Sequence, residues 1–457
     1  MAEQSTKIRD VAWSEMFPWL ILIRSVRISL LARVLVLGTL GLLFTGIGWS
    51  LIAQVFSRSS DPVIATWSSC SGLAMWDDSF NTHATDMWVN SSARSVGDLF
   101  KSELSLGIVR APVSIWLYLT RPFIQMFDRG LTATGFLFLL ACIVWELLVW
   151  GLFGGAITRI AALKFTRDEA PGMIAALKHA AGKLPSYSLP PLIALAGTSV
   201  FALQLVVLGF VMRIDVLAFV AALAWPFVLL LGLMMAVLLL GALAGWPLMW
   251  ATVSVEGTDA FDALSRSYAY TYHRPWRLLW YVVFAAFLAI ASMFVVKLFA
   301  SSAILLGNWS IRWGLDEPTF ATVVRSAPAD PVSPPAAPKK DEGDPDTKDS
   351  DKTANSSDAP TQPTELGKVE SATRSIINFW KSFVGALVAG YQAGFLWVAA
   401  VGIYLLLRHD IDGVQMNDVY VDQAEEYGLP PLSEDAATGV PEVNPHGAPI
   451  PGDTRST

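Results

Sequence analysis

A carboxylate stands alone at Glu146 inside the run ACIVWELLVWGLFGG, with no second charge for twelve residues on its C-terminal side. An acid in such a run is protonated, paired or turned toward water, because an ionised carboxylate at mid-membrane costs at least a few kcal/mol. Gln204 and Gln392 fall near the middle of two other apolar runs, so the three define an intramembrane polar site. Two chemistries fit it: a proton-coupled transport group, or a neutral Glu bonding across helices, a contact worth about 0.6 kcal/mol on average. Outside the apolar runs, WDDSFNTHATDMW offers Asp77, Asp78, His83 and Asp86, which are ligand types for a divalent cation but match no recognised spacing. The stretch GTDAFDALSRSYAYTYHRPWRLLWY, residues 257–281, gathers Asp, Ser, Arg, Tyr and His. No nucleophile motif, phosphate loop, HExxH pair or cofactor fingerprint accompanies it, so no catalytic residue and no cofactor is assigned.

The elements that must position these residues are membrane helices. Of 457 residues, 53% are hydrophobic and 16% charged, against roughly 25% charged in soluble domains. Mean hydropathy is +0.48. Several runs reach the roughly 20 residues that cross about 30 Å of hydrocarbon, and none alternates as a barrel strand does. The expected fold is all-α: a polytopic bundle of about six transmembrane helices with interfacial elbow helices. The net charge of −7 and the lack of a basic stripe argue against nucleic acid. The bilayer is the expected partner, together with membrane or cytoplasmic proteins; oligomeric state is left open. Cys70 and Cys142 form no disulfide framework or zinc pattern.

Arg and Lys clusters set the orientation through the positive-inside rule. Residues 1–33 form a cytoplasmic N-terminus ending in an interfacial helix (11–28). There Trp19, Ile23, Val26 and Leu30 share one face, and Arg24 and Arg27 are placed to meet lipid phosphates. A first span at 34–55 leads to an extracytoplasmic loop at 56–131, whose segment 107–128 reads as a surface helix or a re-entrant one. Residues 132–212 form a span, an elbow and a span, with Arg159, Lys164 and Arg167 delivered to the cytoplasmic loop. Residues 213–305 repeat that order, Pro226 separating a short outer helix from its first span. The region 306–376 is extracytoplasmic, and 326–368, rich in Pro, Ser and both charges, is expected to be disordered. A sixth span at 377–407 returns to an acidic cytoplasmic tail, 408–457, so that both termini lie inside.

The two span–elbow–span units share a gapless offset of 90 residues: Gly151 with Gly241, Gly155 with Gly245, Pro185 with Pro275. Both run out, in, out, as parallel repeats about the membrane normal would. Gly151/Gly155, Gly241/Gly245 and Gly390/Gly394 are small-xxx-small pairs suited to close helix packing. In the second elbow Phe261, Leu264, Tyr268 and Tyr272 form an apolar stripe for the headgroup region, and Asp262 and Arg266 form an i,i+4 pair. Arg274 and Arg277 are expected at lipid phosphates, and a lone His273 is interfacial.

The segments LFGGAITRIAALKF (152–165), GWPLMWATVSVEGTDAFDALSRSYAYTYHRPW (245–276) and YLLLRHDIDGVQMNDVY (404–420) resemble the signatures of a family of uncharacterised bacterial multi-pass membrane proteins. The likeness covers roughly residues 130–300 and the final helix. It implies a helical fold and an inner-membrane location, and no activity. A looser likeness to the membrane domains of glycerophosphodiester phosphodiesterases comes without that family's catalytic domain. Two functions of different kinds follow: a non-enzymatic scaffold or accessory subunit, or a transporter or lipid-handling permease with its polar site at Glu146.

Overall fold

The computed structural model describes residues 17–58, 61, 63–64, 67, 107–128, 130–169, 171–316, 319–320, 323–324, 365–420, 432–434 and 441–443. Of the expected disordered stretch 326–368, only 365–368 falls within them, as helix. Cys70 and the cation candidates Asp77, Asp78, His83 and Asp86 lie outside the described residues, as do 11–16 of the N-terminal helix. A 3-10 turn at Pro18–Leu22 leads into α1 (Ile23–Ser29) and α2 (Ala32–Val55). Then come α3 (Gly107–Gln125), α4 (Ala133–Thr166), α5 (Met173–Gly182), α6 (Leu184–Val211) and α7 (Asp215–Leu223). α8 (Trp225–Glu256), α9 (Ala260–His273), α10 (Pro275–Arg312) and α11 (Glu365–Asp412) complete the helical unit, which runs to Asp418. The remaining unit, from Val419, contains a small antiparallel pair, β1 (Leu432–Glu434) with β2 (Pro441–Val443).

Six helices among the described residues, α2, α4, α6, α8, α10 and α11, are long and apolar enough to cross a membrane. The protein is an all-α polytopic membrane protein. Element ends fall close to the 90-residue offset: α4 stops at Thr166 and α8 at Glu256, 90 residues apart, while α6 begins at Leu184 and α10 at Pro275, 91 apart. Both long helices end in left-handed backbone, at Asp168 (φ 58°) after α4 and at Gly257 (φ 67°) after α8. Between α7 and α8 the chain breaks at Ala224, and Pro226 occupies the first turn of α8, where its missing N–H costs nothing.

α11 is the central helix. It packs along α2, α4, α8 and α10, and most of its residues from Val388 to Leu407 are buried. Glycine permits the closest of these approaches. A Cβ on Gly38 of α2 would run into the Gly390 carbonyl of α11, and one on Gly394 would sit 2.8 Å from Val34 Cγ1. Thr39 Oγ1 crosses the same seam, donating to its own helix at Leu35 (2.8 Å) and lying 3.2 Å from the Ala386 carbonyl. In lipid, where apolar surface gains nothing by leaving the solvent, such close backbone contact supplies the packing energy.

A layer of tryptophans lies where α4, α8 and α11 meet. Trp250 stacks on Trp397 with ring centroids 4.2 Å apart and planes at 20°, and Trp150 and Trp246 lie against Trp397 at 5.8 and 5.0 Å. Trp250 donates its indole proton to the Tyr187 carbonyl at 2.6 Å. Gly154 makes room for this layer, because a Cβ there would sit 2.9 Å from Trp250.

The helices also overrun the expected boundaries. Arg159, expected in a loop, lies within α4 and is 4% exposed. Its guanidinium donates to the Ser254 carbonyl (2.9 Å), while the Ser254 hydroxyl meets Thr158 (2.6 Å) and Tyr187 (2.8 Å). A cation beside backbone and hydroxyl acceptors tolerates this position, which a hydropathy window cannot register. Arg24, expected at lipid phosphates, instead donates to the Lys164 and Phe165 carbonyls and pairs with Asp168 at 3.3 Å. It therefore staples α1 to the end of α4.

Gly390→Val, which would drive a side chain into Thr39 and the Leu35 carbonyl, is expected to destabilise the fold by about 1–3 kcal/mol. Gly209→Val, at a glycine with nothing within 4 Å of the new Cβ, is expected to change little. Thermal unfolding of the two purified variants against the unaltered chain checks the contrast.

Candidate functional site

Four elements position a cavity of about 570 Å³, lined by α3, α8, α10 and α11, with Thr271 and Tyr272 of α9 at one end. α8 and α10 both pack on α11 but hardly on each other, leaving a lateral opening. The floor is buried and apolar, formed by Leu248, Ala285, Phe395, Ala399 and Ile403. The rim residues Leu240, Leu279 and Val282 are exposed. α3 closes the back: Ile115 and Leu119 are buried, and Trp116 meets Trp246 at 5.4 Å. Segment 107–128 is thus packed into the bundle.

On α11 the lining runs from Tyr391 to Ile403 and on α10 from Pro275 to Met293, a mean length of about 22 Å at 1.5 Å per residue. That length suits an extended hydrocarbon chain, and the volume of about 570 Å³ lies within the usual range of ligand sites.

The three residues expected to share a polar site do not all converge. Glu146 is 2% exposed, and neither carboxylate oxygen has a hydrogen-bond partner among the described residues. It does not line the cavity. Gln204 faces outward on α6 and joins neither of the others. Gln392, 5% exposed, lines the cavity at the α3 side, and its Nε2 donates to Ser114 Oγ of α3 at 3.2 Å. Its Oε1 is buried without a partner among the described residues.

The small-residue pairs are covered from within the chain. Gly151 and Gly155 meet Ser188 and Tyr187 of α6; Gly241 and Gly245 meet Tyr268 and Ser267 of α9; Gly390 and Gly394 meet α2. Hydrogen bonds reinforce the α8–α9 contact, with Ser267 Oγ donating to the Gly245 carbonyl and Tyr268 to that of Leu238, each at 2.6 Å. The aromatic stripe of α9 is consequently divided. Phe261 is exposed, whereas Tyr268 and Tyr272 turn onto α8 and donate to its carbonyls.

A charged network ties α9 and α10 to the end of α11. Glu256, at the C-terminus of α8, binds Arg266 at 2.5 Å and Arg408 at 3.1 Å, and accepts from Tyr404 at 2.5 Å. Arg266 is thus directed to Glu256, while Asp259 caps α9 by accepting from the Asp262 amide at 2.9 Å. Arg277 pairs with Asp410 at 2.9 Å, which also accepts from Tyr281, and Asp412 accepts from Tyr270. Arg274 is exposed beside them. Among the described residues no group of three or more His, Cys, Asp or Glu could hold a metal ion. In the sequence, the indole layer and the Glu256 network are signalled only by the two tryptophans of the 245–250 run and the RHDID end of α11.

The α9 tyrosines predict a pH response. Burial first, and the neighbouring Tyr272 second, push the Tyr268 phenol up to about 12. Burial also raises Tyr270, with its bond to Asp412 adding to the shift. A raised phenol contributes stability that is fully present below the unfolded value near 10 and is lost as pH climbs through the folded value. The unfolding temperature should therefore fall between pH 10 and 12, and less steeply in Tyr268→Phe, as read by a pH series of thermal melts. No family model, curated protein or solved structure matches this chain.

Proposed function

We propose that this chain is a lipid-handling protein of a bacterial cytoplasmic membrane, with both termini cytoplasmic, that binds the hydrocarbon part of a bilayer lipid in the lateral groove between α8 and α10. The observation that carries this reading is the groove itself. It is apolar throughout its floor and open sideways where lipid would stand. The resemblance of 152–165 and 245–276 to a family of bacterial multi-pass membrane proteins agrees with that location, as does the Arg and Lys distribution. Arg274 stands exposed at the cytoplasmic end, at headgroup height. Arg277 is held by Asp410.

A scaffold would be better supported by an outward small-residue face. All three glycine pairs are instead occupied inside the chain. A transporter working through Glu146 would be better supported by a cavity reaching that residue, and the groove does not.

Native mass spectrometry of the protein, released from gently extracted membrane, is expected to show a retained lipid adduct. Ala289→Trp, which places an indole in the groove lining, should reduce that adduct at least tenfold with thermal stability kept. An adduct of equal occupancy in Ala289→Trp, or stable co-purifying proteins with no lipid, would sink the reading.

A further inference from the structure

The end of the groove at Gln392 differs chemically from the rest of its length. Gln392 lies there near the middle of α11, opposite Met293 of α10 and beside Tyr391. Its Nε2 is engaged by Ser114, so the atom left for a ligand is Oε1, a buried acceptor with no partner among the described residues. A buried acceptor left unmade carries a desolvation cost that a donor on a ligand would remove. At the other end of the groove the hydroxyls are already spent: Thr271 donates to the Ser267 carbonyl at 2.8 Å and Tyr272 to that of Val237. Neither Arg274 nor Arg277 lines the cavity.

Gln392 Oε1 shares this end of the groove with the buried Tyr391 hydroxyl, and an acceptor at mid-membrane selects by charge as well as by hydrogen bonding. A phosphate or carboxylate brought to that depth meets the penalty for charge in hydrocarbon, and an anion presents no proton to a carbonyl oxygen. A neutral hydroxyl supplies the donor without a charge. Resting on the lipid-handling reading, we propose that the groove's ligand is a neutral lipid bearing a hydroxyl group, bound with that hydroxyl donating to Gln392 Oε1. Its hydrocarbon body lies along α10 and α11 toward Ile403. The lateral opening admits it from the bilayer without passage through water. Gln392 fixes the ligand's polarity, and the apolar floor between Leu248 and Ile403 accepts its chain.

The test uses the protein in phosphatidylcholine vesicles, with phosphatidylglycerol as an added competitor, and two photoactivatable probes, a diazirine-labelled hexadecanol and its methyl ether, which has lost only the donor proton. Labelling of the unaltered chain should favour the alcohol by roughly tenfold, the size of one buried hydrogen bond. Labelled peptides should come from α10 and α11, and Gln392→Met should bring the two probes level by weakening the alcohol alone. Equal labelling by alcohol and ether, with both lost in Ala289→Trp, would overturn the hydroxyl assignment and leave the lipid-handling reading standing. Labelling by neither probe, or labelling indifferent to Ala289→Trp, would overturn both. Competition by phosphatidylglycerol that disappears in Arg274→Ala would reverse the ligand's polarity and also overturn the proposal. The alcohol-to-ether ratio of the unaltered chain decides the matter even where Gln392→Met fails to fold.

Discussion

The fold depends on the close approach of α2 and α11 at Gly38 and Gly390, where no side chain separates the two backbones. Helices in hydrocarbon gain nothing by removing apolar surface from lipid, so they cohere through dispersion at short range and through polar contacts across the seam. Once α11 is fixed on α2, its remaining faces are committed. One carries Trp397 into the indole layer with Trp150 and Trp250; another presents Tyr391, Gln392 and Phe395 to the groove. The groove floor is therefore a consequence of how α11 is clamped, and its stiffness is that of the best-packed helix in the molecule.

The charged end supplies a second constraint. Glu256 terminates α8 and holds Arg266 of α9 and Arg408 of α11 at once, and Asp410 and Asp412 continue the network to Arg277 and Tyr270. Single exposed ion pairs contribute little. Here the Glu256 and Arg408 side chains are only 8% and 11% exposed, so each needs the other to avoid an uncompensated buried charge. The effect is on geometry more than on net stability: the end of α11 is registered against α8 and α9. That in turn sets the depth at which Gln392 stands in the groove.

Much of the helical order was legible in the sequence, because length and hydropathy decide what can cross a membrane. The 90-residue offset was legible too, and the ends of α4 and α8 fall at that spacing. What hydropathy could not convey was direction. Arg159 reads as a loop cation until Ser254 and Thr158 are seen beside it, since its acceptors come from a helix some 95 residues away. Gln204 and Gln392 have the same side chain at similar depth, yet one faces outward and the other the groove; the phase of each helix is set by its packing partners. Tyr268 and Tyr272 belong to an apparent headgroup stripe and in fact cap α8 carbonyls, because Gly241 leaves them room. The groove had no local signal at all, being the space left between two helices that hardly pack on each other.

The two units that share the 90-residue offset differ at that space. In the first, Gly151 and Gly155 of α4 are covered by Ser188 and Tyr187 of α6, so the two long helices close on each other. At the 90-residue offset the counterparts of Tyr187 and Ser188 are Arg277 and Leu278. Arg277 turns away to Asp410, and Gly241 is filled by Tyr268 from the elbow helix instead. With no large side chain of α10 seated on the glycine face of α8, the second pair stays apart. α11 and α3 supply a back wall where the first copy has a direct helix contact. A tyrosine in one copy and an arginine in the other thus distinguish a closed structural pair from an open one, and the open pair is where a ligand can enter.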